Sequence, residues 1–352
     1  MTTGESHDDL DRMRSVDIHA HVVPRGVWAA HESGDDWYGA LAKNERFDDY
    51  LMIGALCEGD GIAKTRWTID ERIRYMDAVG TDVHVLSVAP ALLNYECPVD
   101  QTMASAREIN EEIAGMVTSR PDRFEGLATL PLPEVELSVA ELERSIRELG
   151  LKGVELDTRV NGRHWDEPDF DPIFEAAEDL GATLFFHPSR SLVWERTQRY
   201  HLGNTVGNLL EDALAASVLI SGGVLERHPD LKVVIAHSGG PICFGIGHMD
   251  RAWHVDPEAR THIPFPPSRY LRRLYYDSLT LSEGPLRFLV DVVGADRVVL
   301  GSDWPYASGP ESPAHWVMGL RSLSAHEKEL IMHANLDRLL ELPAMSRPEP
   351  IA

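Results

Sequence analysis

Two histidines stand two positions apart in the run Val16-Asp17-Ile18-His19-Ala20-His21-Val22-Val23-Pro24. The run is apolar, rich in β-branched residues and closed by a proline, which predicts a buried strand stopping at Pro24. Residues two apart on a strand share a face. His19 and His21 therefore point the same way, with Asp17 one step deeper. Neutral imidazole nitrogens are good ligands for a divalent ion such as Zn2+. Taken alone, the pair is equally well explained by two histidines in ordinary hydrogen bonds. Further positions shift that balance: His187 before Pro188, His237 before Ser238-Gly239-Gly240, and Asp303 before Trp304-Pro305. Each by itself could be a turn residue. Together they are a candidate metal site, with His19, His21, His187 and Asp303 holding one ion and leaving a position for water. An ion so held brings the pKa of its water from 15.7 to about 7. His237 would then serve as general base and acid near that water. Asp303 could instead accept the water's proton while touching the ion only weakly; the residue types leave both roles open.

These residues converge only if their strands do. Runs of apolar and β-branched residues predict strands at 16–24, 82–88, 124–130, 153–157, 182–187, 231–237, 274–277 and 297–303. Helical periodicity fills the gaps, at 70–79, 101–118, 134–149, 169–180, 207–227, 241–254, 285–293, 313–323 and 325–340. Eight strands alternating with helices predict an α/β fold, a (β/α)8 TIM barrel, whose active sites lie at the C-terminal strand ends. His19 and His21, His187, His237 and Asp303 all fall at such ends. A doubly wound open sheet is the alternative, weakened by the lack of a glycine-rich phosphate loop after the first strand. No repeat or interior linker divides residues 1–352, so one domain is expected. Within it, 25–67 is expected to fold as an inserted cap near the metal face, since it carries Trp28, Trp37, Tyr38, Phe47, Tyr50 and Trp67. The proline-rich stretch 343–352 is expected to be a loose tail. His84, inside the second strand, is expected to be a packed histidine.

Lys and Arg number 33 against 57 Asp and Glu, a formal charge of −24 with no basic tract. That argues against nucleic acid or an anionic membrane surface as a partner. An anionic small substrate stays compatible, because a bound cation offsets the acidity locally. Cys57, Cys97 and Cys243 are few, odd in number and widely spaced, which suggests a reducing compartment and no cysteine-based zinc site. Residues 1–15 are polar and acidic, and no apolar run is long enough to span a bilayer, so a cytoplasmic protein is expected.

The motifs His19-x-His21, His187-Pro188, His237-Ser-Gly-Gly240 and Leu300-Gly-Ser-Asp303-x-Pro305 resemble those of the amidohydrolase superfamily. The branch resembled is the one containing 2-amino-3-carboxymuconate-6-semialdehyde decarboxylase. The likeness extends over about 16–340 and includes Met76-Asp77, Arg123-Phe124, Thr129-Leu-Pro131, Gly222-Gly-Val224 and His228-Pro229. It implies one bound zinc on His19, His21, His187 and Asp303, with His237 as the catalytic acid/base and Mn2+ as the alternative metal. It also implies a carboxy-lyase that removes CO2 non-oxidatively from an aromatic or muconate-type acid, in a homodimer. A hydrolase of a lactone, amide or ester, or a hydratase, is the alternative on the same scaffold, since the metal constellation alone does not separate them. Strand four ends Glu-Leu-Asp without a lysine, so the carboxylated-lysine bridge of binuclear members has no candidate.

The sequence departs from that branch where its substrate arginines would fall, near Asp60 and His248; Arg66 and Arg251 are only close by. Arg159 and Arg190, just beyond strands four and five, are the alternative carboxylate clamps, because an arginine fork matches a carboxylate bidentately. Structural salt bridges would explain them equally well. Trp28, Trp67, Trp194 and Trp304 could wall a pocket for a flat conjugated acid, and of these Trp304 adjoins the site directly.

Overall fold

The computed structural model describes residues 13–39, 64–191, 193–306 and 309–343. Eight parallel strands form one sheet in sequence order: β1 (Val16–Val22), β2 (Val83–Val88), β3 (Phe124–Ala128), β4 (Gly153–Leu156), β5 (Thr183–Phe186), β6 (Lys232–Ile235), β7 (Leu274–Asp277) and β8 (Val298–Val299). The last strand returns to the first. Ile18 donates its amide to the Leu300 carbonyl at 3.0 Å, and His21 donates to the Trp304 carbonyl at 2.7 Å. The sheet is therefore the (β/α)8 barrel that the alternation predicts. Val16, Ile18, Val83, Val85, Leu127, Phe185, Val234, Tyr275 and Val299, from seven of the strands, share one apolar cluster. Side chains from so many strands meet only inside a barrel.

The helices cover the outside. Helix α1 is Arg25–Ser33, α2 Ile69–Val79, α3 Val99–Ser119, α4 Val135–Arg147, α5 Asp171–Leu180, α6 Leu209–Ser221, α7 Ile242–Val255 and α8 Glu283–Val293. Helix α2 begins with a capping box, in which the Thr68 hydroxyl accepts from the Glu71 amide and the Glu71 carboxylate accepts from the Thr68 amide. It ends at Gly80, whose φ of +75° suits the left-handed C-terminal cap. The long helix expected over 207–227 is in fact broken. Gly222 ends α6, Gly223 turns left-handed at φ +73°, and a short helix Val224–Arg227 follows. A glycine pair supplies that turn at no steric cost.

The expected cap falls only partly within the described residues. Helix α1 opens it and buries Val27 and Trp28, and Trp37 is buried behind it. Residues 40–63, and 344–352 of the expected tail, lie outside the described residues.

Candidate active site

Simple alternation does not carry through β1, whose register against β2 shifts between Asp17 and Ala20. Val16 and Ile18 join the apolar interior and the His19 and His21 rings meet at 5.0 Å, whereas Asp17, expected on the histidines' face, has Oδ2 3.8 Å from His84 Nε2. All three polar residues are fully buried. Asp17 is structural. Its Oδ1 accepts from the amides of His19, at 2.9 Å, and Ser302, at 3.1 Å, tying β1 to the chain beyond β8. That junction brings Asp303 to the histidines. Asp303 Oδ1 lies 3.2 Å from His19 Nε2 and 3.4 Å from His21 Nε2. His187, just past β5, packs its ring 4.9 Å from that of His19 and 5.0 Å from that of His21. His237, just past β6, is 4.9 Å from the His187 ring.

His19, His187, His237 and Asp303 each offer a ligand atom within 4.8 Å of the other three. His21 joins through Asp303. The Nε2 atoms of His19, His21 and His187 are buried and make no hydrogen bond among the described residues. Three orphaned imidazole nitrogens beside a carboxylate fit a divalent ion. Ligands about 2.0–2.2 Å from a tetrahedral Zn2+ stand roughly 3.3 Å from one another, the spacing at which His19 and His21 meet Asp303.

The opposite ring nitrogens are held from behind, as metal-binding histidines are. His19 Nδ1 lies 2.8 Å from Asp277 Oδ2, and His21 Nδ1 lies 3.2 Å from the Val88 carbonyl. His187 Nδ1 is 3.0 Å from the Pro188 carbonyl. Asp277, at the end of β7, also accepts the amides of His237 at 2.9 Å and Ser238 at 2.8 Å. One carboxylate thus fixes a β1 histidine and the turn after β6. Burial alone would lower the His19 pKa, but the Asp303 and Asp277 carboxylates together raise it well above the ordinary value. Burial lowers His21 to about 4 and holds His187 well below the ordinary value, so both present lone pairs. Burial also works against the Asp303 charge, yet the surrounding histidines, His19 foremost, hold it well below the usual carboxylate range.

His237 differs from the others. Its Nδ1 lies 2.9 Å from Asp212 Oδ2, which leaves Nε2 for the cavity that His237 helps to line. Burial lowers its pKa, but Asp212 outweighs that and raises it overall. The turn that carries it is unusual: His237 and Ser238 both have positive φ, uncommon outside glycine, as does Asp303 beyond β8. Gly240 follows at φ 54° and ψ −140°, where a Cβ would fall 1.9 Å from the Leu209 carbonyl oxygen. Only glycine fits there.

The cavity opening onto this cluster is lined by His187, Arg190, Trp194, Asn208, His237, Asp303 and Tyr306 among others. Arg190 lies over the Trp194 ring at 5.5 Å and supplies the cation of that lining. Arg159 does not line it; Nη1 pairs with Glu211 at 3.3 Å and Nη2 donates to the Arg190 carbonyl at 3.2 Å. Trp67 and Trp304 stand 6.2 Å apart and line a neighbouring cavity with His21 and Arg72. Arg72 packs 3.9 Å from the Trp304 ring and donates to the His21 carbonyl, so Trp304 braces the site from the side. His84 is the packed histidine expected, its Nδ1 accepting from Arg72 Nε at 3.2 Å.

Three buried carboxylates around the site escape the sequence reading: Asp277, Asp212 and Glu155. Asp277 closes a strand, the same signal that marks Asp303. Asp212, in the first turn of α6, has no such mark, being one of two adjacent acids, with Glu211, on a largely apolar helix. Glu155 lies 3.8 Å from His21 Nδ1, and burial pushes its pKa up to about 8.

Residues 16–342 match the amidohydrolase family. The chain is 33% identical over 337 residues to the 2-amino-3-carboxymuconate-6-semialdehyde decarboxylase of Dictyostelium discoideum, covering 94% of this chain and 92% of that protein. Among solved structures it superposes on the 5-carboxyvanillate decarboxylase of Sphingomonas paucimobilis with a TM-score of 0.81, at 24% identity, over 94% of this chain and all of that one (100%). The dihydroxybenzoic acid decarboxylase of a Polaromonas species, solved with manganese and 2-nitroresorcinol bound, superposes with a TM-score of 0.78 at 21% identity, covering 94% and 97%.

Proposed function

Because the chain belongs to the amidohydrolase family, in the branch of the carboxymuconate-semialdehyde and resorcylate decarboxylases, we propose that it is a metal-dependent carboxy-lyase acting on an aromatic or muconate-type carboxylic acid. Decarboxylase relatives favour this over the hydrolase or hydratase reading, which the metal constellation alone allows. One observation carries the metal site: three buried imidazole Nε2 atoms, without hydrogen bonds among the described residues, converge beside Asp303. His19, His21, His187 and Asp303 would hold the ion. We assign Zn2+ first, on a donor set of three nitrogens and one carboxylate oxygen, with Mn2+ the alternative, as in the Polaromonas relative. When bound, the ion polarises oxygens of the substrate and activates a water.

The protein's own groups do the rest. Arg190, the cavity cation, anchors a substrate carboxylate or phenolate, and the Trp194 ring under it favours a planar acid. His237 sits between ligand cluster and cavity and delivers a proton to the carbon that carries the carboxylate. The electron pair of the breaking C–C bond then returns to the conjugated system as CO2 departs. Atoms and charge balance: one proton is taken up for each CO2 released. Asp303 keeps its negative charge and so supports the cationic side of the site.

The partner class is a small carboxylic acid. A homodimer is the quaternary reading, supported by an exposed apolar stripe: Val206, Leu210 and Leu214 at four-residue spacing, with Phe244 85% exposed on the adjacent α7. Among the described residues no helix is long and apolar enough to cross a membrane. Our placement in a reducing, cytoplasmic setting rests on the cysteine pattern. The decisive experiment incubates metal-loaded protein with hydroxybenzoates, 5-carboxyvanillate and carboxymuconate semialdehydes, following CO2. Release from at least one acid is expected. Cleavage of an ester, lactone or amide with no CO2 from any acid would overturn the assignment.

A further inference from the structure

Asp212 lies outside the ligand set, on α6, yet it is fully buried. Its Oδ2 bonds His237 Nδ1 at 2.9 Å, and its Oδ1 is buried without a hydrogen-bond partner among the described residues. A buried carboxylate with one oxygen unsatisfied is costly, and an apolar side chain would pack there at less expense. The compensating contact is therefore the one to His237. The His237 main chain is already held, its amide donating to Asp277. The imidazole has further neighbours in His19, His187 and Asp303, but Asp212 is the group bonded to Nδ1.

We propose that Asp212 is a positioning residue for proton transfer, keeping the Nδ1–H of His237 directed at its carboxylate so that Nε2 faces the substrate as the lone pair that takes up a proton and, once the ring is an imidazolium, gives it to the substrate. The inference rests on His237 being the acid/base. A carboxylate behind an imidazole does two things: it selects the tautomer, and it stabilises the ring when protonated. Both are needed by a group that gives up a proton and must regain one each turnover. An asparagine at 212 has nearly the same shape but can donate to Nδ1 through its amide. That fixes the other tautomer, Nε2–H with a bare Nδ1, and removes the charge that stabilises the imidazolium.

The test compares Asp212→Asn, Asp212→Ala, His237→Ala and the double variant Asp212→Asn/His237→Ala, all metal-loaded, on an acid that the wild type decarboxylates. Metal content and the 15N resonances of the His237 ring are recorded alongside turnover. Asp212→Asn should keep one equivalent of metal and a KM within about twofold, while kcat falls by about 10²–10⁴. Its neutral His237 ring should show the Nε2–H form. Asp212→Ala should lose less kcat, since nothing enforces the wrong tautomer, and it serves if the Asn variant folds poorly. In the His237→Ala background the Asn change should cost almost nothing more, because a residue acting through His237 has nothing left to act on. Equal losses in both backgrounds, loss of metal, or an unchanged ring spectrum would overturn the proposal and make Asp212 a packing residue. Full activity of Asp212→Asn beside an inactive His237→Ala would overturn it while leaving the acid/base reading intact. An active His237→Ala would remove that reading and the inference together.

Discussion

His21 and His237 are both buried histidines at strand ends, and what separates them is where each ring faces. His21 is fully buried, with Nδ1 against the Val88 carbonyl, whereas His237 reaches the cavity with Nδ1 against a carboxylate. Replacing His237 by Ala should therefore leave metal content near wild type and lower turnover by about 10²–10⁴. Metal analysis beside CO2 release checks this, and loss of metal would make His237 a ligand. Replacing His187 or Asp303 by Ala should instead empty the site, because each removes a donor from a cluster whose Nε2 atoms have no other hydrogen bond among the described residues. Full metal occupancy in either variant would remove that residue from the ligand set. At this scale the sequence was informative wherever a polar residue ended an apolar strand, as with His187, His237 and Asp303. By the same token Asp277 was legible and passed over. Asp212 was not legible. Its partner is 25 positions away on another element, and helical periodicity carries no information about which acid will be buried against which histidine.

Elements read more easily than contacts. Buried parallel strands are near-continuous apolar runs, and helices between them ended where Gly80 and Gly181 supplied left-handed caps. The break after α6 was missed because Gly222-Gly223 sits inside a pattern whose apolar residues continue on both sides, so periodicity outvoted the glycines. The turn after β6 shows how strictly one element can fix chemistry. Gly240 adopts a conformation closed to other residues, with the Leu209 carbonyl where a Cβ would be. Gly240→Ala should cost about 1–3 kcal/mol from conformation alone, and more from the clash. It should also lower turnover, since the His237 loop and the start of α6 must move apart. Denaturant unfolding and kinetics on the same sample would check both, and a variant of wild-type stability would refute the steric argument.

For the whole molecule, the proposed ligands come from β1 and the chain just beyond β5 and β8, so a bound ion would join opposite parts of the barrel. A ligand that binds only the folded state stabilises by about 2.7 kcal/mol at a hundredfold excess over its Kd. Chelation should lower the melting temperature by several degrees, and re-addition of Zn2+ or Mn2+ should restore it. An unchanged melting curve, with metal loss verified, would argue against a built site. The apolar stripe makes a separate prediction: light scattering should give twice the chain mass, and Leu210→Asp with Phe244→Asp should give monomer. A monomeric wild type would remove the dimer reading. Charge was the least specific signal at this scale, since −24 argues against polyanionic partners but says nothing of which acid is bound.

The seam between first and last strands has a consequence for biosynthesis. His19 and Ser302 are hydrogen-bonded neighbours separated by 283 positions, and Asp303 comes one residue later still. A ribosome exposes His19 and His21 long before it has joined Asp303 to the chain. The nascent polypeptide therefore lacks part of the proposed ligand set until residue 303 has been added, and an ion could take its final place only when the cylinder shuts. Loading of the proposed site would thus follow closure of the barrel, and a cell short of metal would accumulate closed but unloaded protein.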